Sequence, residues 1–156
     1  VSAVNFNSPG QVVIAGAAKA VERAIEACKA RGAKRAVALP VSVPSHCELM
    51  RPAAERFAEA VEAVQWQMPQ IALVQNVTAQ VPADLAALKR DLLAQLYSPV
   101  RWVESVQLLA EKGVTNLVEC GPGKVLAGLN KRCAKGVTTH NLDSADAFGA
   151  ARAALV

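Results

Sequence analysis

The sequence predicts an α/β domain built on a largely parallel sheet. Short apolar runs alternate with longer stretches of helical apolar spacing along the whole chain, and Gly- and Pro-containing turns separate them. Apolar residues make up 53% of the 156 residues and charged residues 19%, a balance that supplies a core. This length suits one compact domain. Aromatic residues are only 4%, so that core is expected to be mostly Ala, Val, Leu and Ile.

The segment Ala3–Phe6 is strand-like almost from the first residue, so the chain is expected to begin inside a folded region and not at a natural terminus. Gln11–Ala15 is the next strand-like run, after a Pro9-Gly10 turn. Ala17–Arg31 follows as a helix with Val21, Ala24, Ile25 and Cys28 on one face, and Gly32 ends it. Arg35–Leu39 reads as a strand. Residues 1–39 are expected to form part of a smaller subdomain, and residues 40–156 part of the large α/β unit.

Within the larger unit, a helix spans about Glu48 to Val64, with Ala53, Phe57, Ala60, Val61 and Val64 inward and Pro52 near its start. Ile71–Val74 is the next predicted strand. Pro82 opens a helix carrying Leu85, Leu88, Leu92 and Leu96, and Pro99 precedes another with Trp102, Val106 and Leu109. Asn116–Glu119 reads as a strand, and Gly121-Pro122-Gly123 turns it into a helix from about Lys124 to Ala134. Val137–Thr139 is the last predicted strand and Ser144–Leu155 the last helix, with Ser144 as N-cap. No internal repeat or low-complexity tract interrupts this order.

Several function classes drop out. No apolar run reaches the roughly 18 to 20 residues that span a bilayer, and no secretory leader pattern opens the chain, so no membrane association is expected. Four cysteines without a C-x-x-C pair, with only two histidines, predict reduced thiols in a cytoplasmic protein and no metal site. The net charge of +4 suits an anionic ligand or an acidic partner protein. No basic stripe interleaved with aromatic residues occurs, so nucleic acid is not expected.

The strongest chemical candidate is His46, in Val41-Ser42-Val43-Pro44-Ser45-His46-Cys47. It falls in a loop after a strand-like run, where α/β folds collect functional residues, and imidazole is suited to general base work near neutral pH. Cys47 is a poor nucleophile for it, because sequence neighbours rarely point at each other. His140 reads as structural or exposed. Gly121-Pro122-Gly123-Lys124 lacks the spacing of a phosphate-binding loop and reads as a tight turn. Asn5, Asn7 and Ser8, taken locally, are turn chemistry before Pro9-Gly10.

Four segments, in order, resemble the malonyl-CoA:acyl carrier protein transacylases. They are Val4–Gly16 (VNFNSPGQVVIAG), Pro40–Met50 with its V-P-S-H-C core, Gln95–Trp102 (QLYSPVRW) and Glu119–Leu126 (ECGPGKVL). The resemblance implies the C-terminal half of a hydrolase-like parallel-sheet domain plus part of a small ferredoxin-like subdomain. It further implies a Ser–His dyad working by ping-pong transfer of a malonyl group from coenzyme A to acyl carrier protein in fatty acid synthesis. His46 matches the family's catalytic histidine, and Gln95 the residue whose backbone carbonyl orients it. Asn5 and Asn7 match its substrate-binding segment.

No cofactor is expected, since coenzyme A enters as a thioester substrate. The basic pairs Lys34-Arg35 and Lys131-Arg132 are candidates for carrier-protein docking. No G-x-S-x-G occurs in this chain. The nucleophile, the carboxylate-binding arginine and the oxyanion segment of the family all lie in an N-terminal half, which is therefore an expected partner. Two alternatives stand beside this: a non-enzymatic module binding carrier protein or coenzyme A, and an acyltransferase component of a polyketide synthase.

Overall fold

A strand needs a neighbour to hydrogen-bond, and in the computed structural model, which describes residues 1–156, four segments find one. Strand β1 (Ser2–Ser8) turns at Pro9-Gly10 and pairs antiparallel with β2 (Gln11–Ala15), Phe6 lying opposite Val12. Gly10 takes φ +77°, which a residue with a Cβ rarely adopts. Helix α1 (Ala18–Ala30) follows, and Gly32 (φ +86°) lets the chain leave it.

A 3₁₀ turn at Glu48–Met50 leads into α2 (Arg51–Glu62), with Pro52 in its first turn where no amide partner is lost. Helix α3 (Leu85–Ala94) begins where the Asp84 side chain accepts the amide of Ala87 at 2.7 Å. Helix α4 (Trp102–Glu111), strand β3 (Asn116–Glu119), helix α5 (Val125–Cys133) and strand β4 (Thr138–Asn141) come next. Strands β3 and β4 are parallel, with Val118 opposite His140, so α5 is the crossover of a βαβ unit. Helix α6 (Ala145–Leu155) is capped by Ser144, whose hydroxyl accepts the Ala147 amide at 3.2 Å.

The hairpin is docked on the rest of the chain. The Phe6 amide donates to the Val100 carbonyl and the Val100 amide to the Val4 carbonyl, each at 2.9 Å, and β1 packs against α4 and α5. Val4, Val61 and Val106 are the most completely buried large side chains.

Two predicted strands differ. Arg35–Leu39 and Ile71–Val74 join no sheet. Their β-branched and aliphatic content suits a strand, yet neither has a partner to pair with. The helix predicted from Pro82 begins instead at Leu85, because Asp84 is the residue with a side chain able to cap it. No helix is long and apolar enough to cross a membrane.

Candidate active site

The carbonyl end of a helix carries C=O groups without intrahelical partners. Helix α3 ends at Ala94 with Gln95 as its C-cap, and its exit segment is held by the His46 loop. The His46 amide donates to the Leu96 carbonyl at 2.9 Å, and His46 Nδ1 lies 2.6 Å from the Gln95 carbonyl oxygen. A carbonyl only accepts, so Nδ1 carries the proton and Nε2 presents a lone pair.

His46 itself has φ +63°, in the left-handed region that favours glycine. Strain of this kind persists where surrounding contacts impose it, and here two successive carbonyls do so.

The loop is pinned on both sides. Cys47 is buried, and its thiol donates to the Pro44 carbonyl at 3.1 Å, so it faces its own loop. The Arg51 guanidinium grips Glu48 through two hydrogen bonds of 2.7 and 2.8 Å and lies 4.1 Å from the Tyr97 ring centroid. Those hydrogen bonds hold the Glu48 carboxyl below the usual carboxylate range. Gln95 is fixed through its side chain too, since Asn76 Nδ2 donates to its Oε1 at 3.3 Å. The Asn76 carbonyl in turn receives the Arg101 amide at 2.9 Å. Arg101 pairs with Glu104 and donates to the Thr78 carbonyl, and that hydrogen bonding lowers the Glu104 pKa.

The structure thus brings His46 and Gln95 together. None of the other candidates is hydrogen-bonded to either of them. Asn5 sits at the bridge to Val100, and the Asn7 carbonyl accepts the Cys133 thiol at 3.4 Å. Neither side chain is hydrogen-bonded to His46. Lys34 and Arg35 are exposed and form no ion pair. Lys131 is exposed, whereas Arg132 donates to the Gln11 side chain at 2.6 Å and so ties α5 to the hairpin. His140 Nε2 lies 2.9 Å from Asn116 Oδ1 across the β3–β4 pair.

The Gly-Pro-Gly turn holds its own anion. Glu119 is buried at the end of β3, and its carboxylate accepts the amides of Leu126 (3.0 Å) and Ala127 (2.9 Å) at the start of α5. Asn141 Nδ2 donates to the same group at 3.0 Å. The helix N–H groups that a phosphate would need are therefore occupied. Sequence reasoning missed this role, as well as those of Asn76 and the Arg51–Tyr97 contact. Glu119 had a signal, a carboxylate immediately before a glycine turn into a helix. The other two join residues far apart in sequence and had none.

No family model matches the chain. It is 53% identical over 151 residues to the malonyl CoA-acyl carrier protein transacylase of Salmonella typhimurium, covering 97% of this chain and 49% of that protein. The Bacillus subtilis transacylase is 49% identical over 132 residues, 85% of this chain. Among solved structures, the malonyl-CoA:acyl carrier protein transacylase of Xanthomonas oryzae pv. oryzae superposes with a TM-score of 0.94 at 49% identity, covering 97% of this chain and 48% of that one. A malonyl-transacylase solved in complex with a type II polyketide synthase acyl-carrier protein gives 0.93 at 49% identity, covering 96% and 48%. The chain spans about half the length of the relatives it matches.

Proposed function

We propose, from the premise that this chain corresponds to the C-terminal half of the malonyl CoA-acyl carrier protein transacylases, that it supplies the general base of malonyl transfer from coenzyme A to acyl carrier protein. The observation that carries the reading is the 2.6 Å contact from His46 Nδ1 to the Gln95 carbonyl. It leaves Nε2 as the acceptor that a hydroxyl nucleophile requires. The nucleophile would be a serine of the other half, since no G-x-S-x-G lies in these residues.

The reaction then runs in two balanced halves. The serine hydroxyl gives its proton to His46 Nε2 as its oxygen bonds to the malonyl carbonyl carbon. The C–S bond breaks, and the departing sulfur of coenzyme A takes that proton back. In the second half, the carrier protein's phosphopantetheine thiol loses its proton to Nε2 and attacks the malonyl-serine ester. The serine oxygen leaves and is reprotonated from His46. A neutral carbonyl in place of a carboxylate still fixes the tautomer. The partly negative carbonyl end of α3 also has the right sign to stand behind an imidazolium.

The same reading divides the chain into a small-subdomain part, residues 1–39, and a large-subdomain part, residues 40–156. It makes Asn5 and Asn7 substrate contacts and Lys34, Arg35, Lys131 and Arg132 docking residues. The acyl group arrives as a coenzyme A thioester, with no further cofactor, and the compartment is the cytoplasm, where thiols stay reduced.

The test is His46→Ala in the complex of both halves. Turnover should fall by about 10²–10⁴-fold, the range for losing a general base, with circular dichroism unchanged. Near-normal turnover would remove His46 from the mechanism. This chain alone, incubated with labelled malonyl-CoA, should remain unlabelled.

A further inference from the structure

The contact from His46 to Gln95 depends on the stretch that joins α3 to α4. Gln95–Arg101 carries both carbonyls that hold His46, those of Gln95 and Leu96. A helix end frays, and its last carbonyls have no partner inside the helix. Helix α3 therefore does not fix them by itself. Asn76 closes this stretch at both ends. Its Nδ2 donates to Gln95 Oε1 at 3.3 Å, and its carbonyl accepts the Arg101 amide at 2.9 Å.

Asn76 is itself held in a closed turn. The Gln75 amide donates to the Gln80 carbonyl at 2.9 Å, and the Ala79 amide to the Gln75 carbonyl at 2.8 Å. Gln75 is buried, and its Nε2 donates to the Leu88 carbonyl at 3.3 Å. Leu88 and Gln95 stand about two turns apart along α3, so consecutive side chains of the turn grip one helix at two levels. The Arg101 guanidinium reaches the Thr78 carbonyl at 3.1 Å. Ala79 is buried with φ +52°, and it and His46 are the two non-glycine residues with positive φ. Such backbone costs energy and persists only where surrounding contacts impose it. One lies on each side of Gln95: His46 against its carbonyl, and Ala79 in the turn that holds its side chain. A contact of 2.6 Å tolerates little displacement, and misplaced groups lose rate steeply.

We propose that Asn76 is a positioning residue of malonyl transfer. By fastening Gln95 and Arg101, it keeps the Gln95 carbonyl on His46 Nδ1. The proton then stays on Nδ1, and Nε2 remains free to accept one. Asn76 has no hydrogen bond to His46 and acts through Gln95. The part in the reaction rests on the transacylase reading; the effect on the imidazole rests on the geometry alone.

Two variants break the same hydrogen bond from its two partners, Asn76→Ala and Gln95→Leu, and both keep the main-chain carbonyls. Nitrogen NMR of the full chain, at a pH where the ring is neutral, reads the His46 tautomer. The unaltered chain should show the proton on Nδ1. Each variant should show a second set of signals with the proton on Nε2. In the complex of both halves, each variant should lower kcat about three- to tenfold, the scale of one hydrogen bond, with KM for malonyl-CoA unchanged. The double variant should lose no more than the larger single loss, because one contact can be broken only once. An unchanged tautomer in Asn76→Ala, losses that multiply in the double variant, or a rise in KM with kcat intact would each overturn the proposal. If Asn76→Ala does not fold, Gln95→Leu decides alone on the same two readouts. An inactive complex of the unaltered halves refutes the transacylase reading and leaves the tautomer test standing. An active complex with no tautomer change in either variant keeps that reading and refutes the role of Asn76.

Discussion

The Arg51 guanidinium stacks 4.1 Å from the centre of the Tyr97 ring, and this contact spans the two segments that meet at His46. Arg51 follows the histidine loop, and Tyr97 follows the Gln95 carbonyl that the imidazole touches. The contact thus fastens the loop to the carbonyl, from outside the reaction. In the complex of both halves, Arg51→Met should lower kcat about two- to fivefold, the scale of an exposed cation–π contact, with KM for malonyl-CoA unchanged. Arg51→Lys should recover part of the loss. A rise in KM with kcat intact would mean that Arg51 contacts substrate and does not position the loop.

Glu119 predicts a stability effect. Its carboxylate satisfies two amides of α5 and the side chain of Asn141. Glu119→Ala leaves these donors without a partner and should cost about 2 kcal/mol in denaturant unfolding. Glu119→Gln keeps one acceptor oxygen and should lose less. Equal stability of the alanine variant would show that water replaces the carboxylate.

The thiols should separate into two classes. Cys28 and Cys120 are exposed, while Cys47 and Cys133 are buried and donate to the carbonyls of Pro44 and Asn7. Two cysteines should react rapidly with a thiol reagent and two slowly. Burial raises the Cys133 pKa above its ordinary value of 9.0, against a smaller lowering by Arg132. A folded-state pKa above the unfolded one gives a stability contribution that is complete below the unfolded value and lost as pH rises through the folded one. Stability should therefore decline above about pH 9, and Cys133→Ser should flatten that decline. Rapid labelling of all four thiols in the native chain would contradict the burial.

The sequence was most readable where local chemistry decides structure. Ser144 carries the cap of α6, and Gly10 and Gly32 the positive-φ turns, whereas Pro82 was read as the start of α3 and Asp84 is its cap. β3 occurs where predicted, because its neighbour β4 lies one crossover away in the same chain. Arg35–Leu39 and Ile71–Val74 have strand composition without a ladder, since pairing depends on a second segment that composition does not reveal. At the site, His46 was visible from its residue type and its place after an apolar run. The left-handed backbone of His46 was not, because nothing but tertiary contact imposes it on a non-glycine residue. Gln95 acts through a main-chain carbonyl, an atom every residue has, so only the family resemblance pointed to it.

The transacylase reading proposes an acidic protein partner. Lys34 and Arg35 leave α1 on an exposed stretch and pair with no carboxylate of this chain, so their charge is available to a docking surface. Lys131 and Arg132 are the weaker pair for this purpose, because Arg132 already holds Gln11 and its loss would disturb the hairpin. Complementary charge speeds encounter more than it deepens affinity, and salt weakens it over a Debye length of about 8–10 Å. In the complex of both halves, reversing Lys34 and Arg35 to Glu should raise the apparent KM for carrier protein and flatten its salt dependence. Hydrolysis of malonyl-CoA by water needs no protein partner and should change little. Equal losses in both reactions would place the defect in folding or in the active site, and the docking role of this pair would be abandoned.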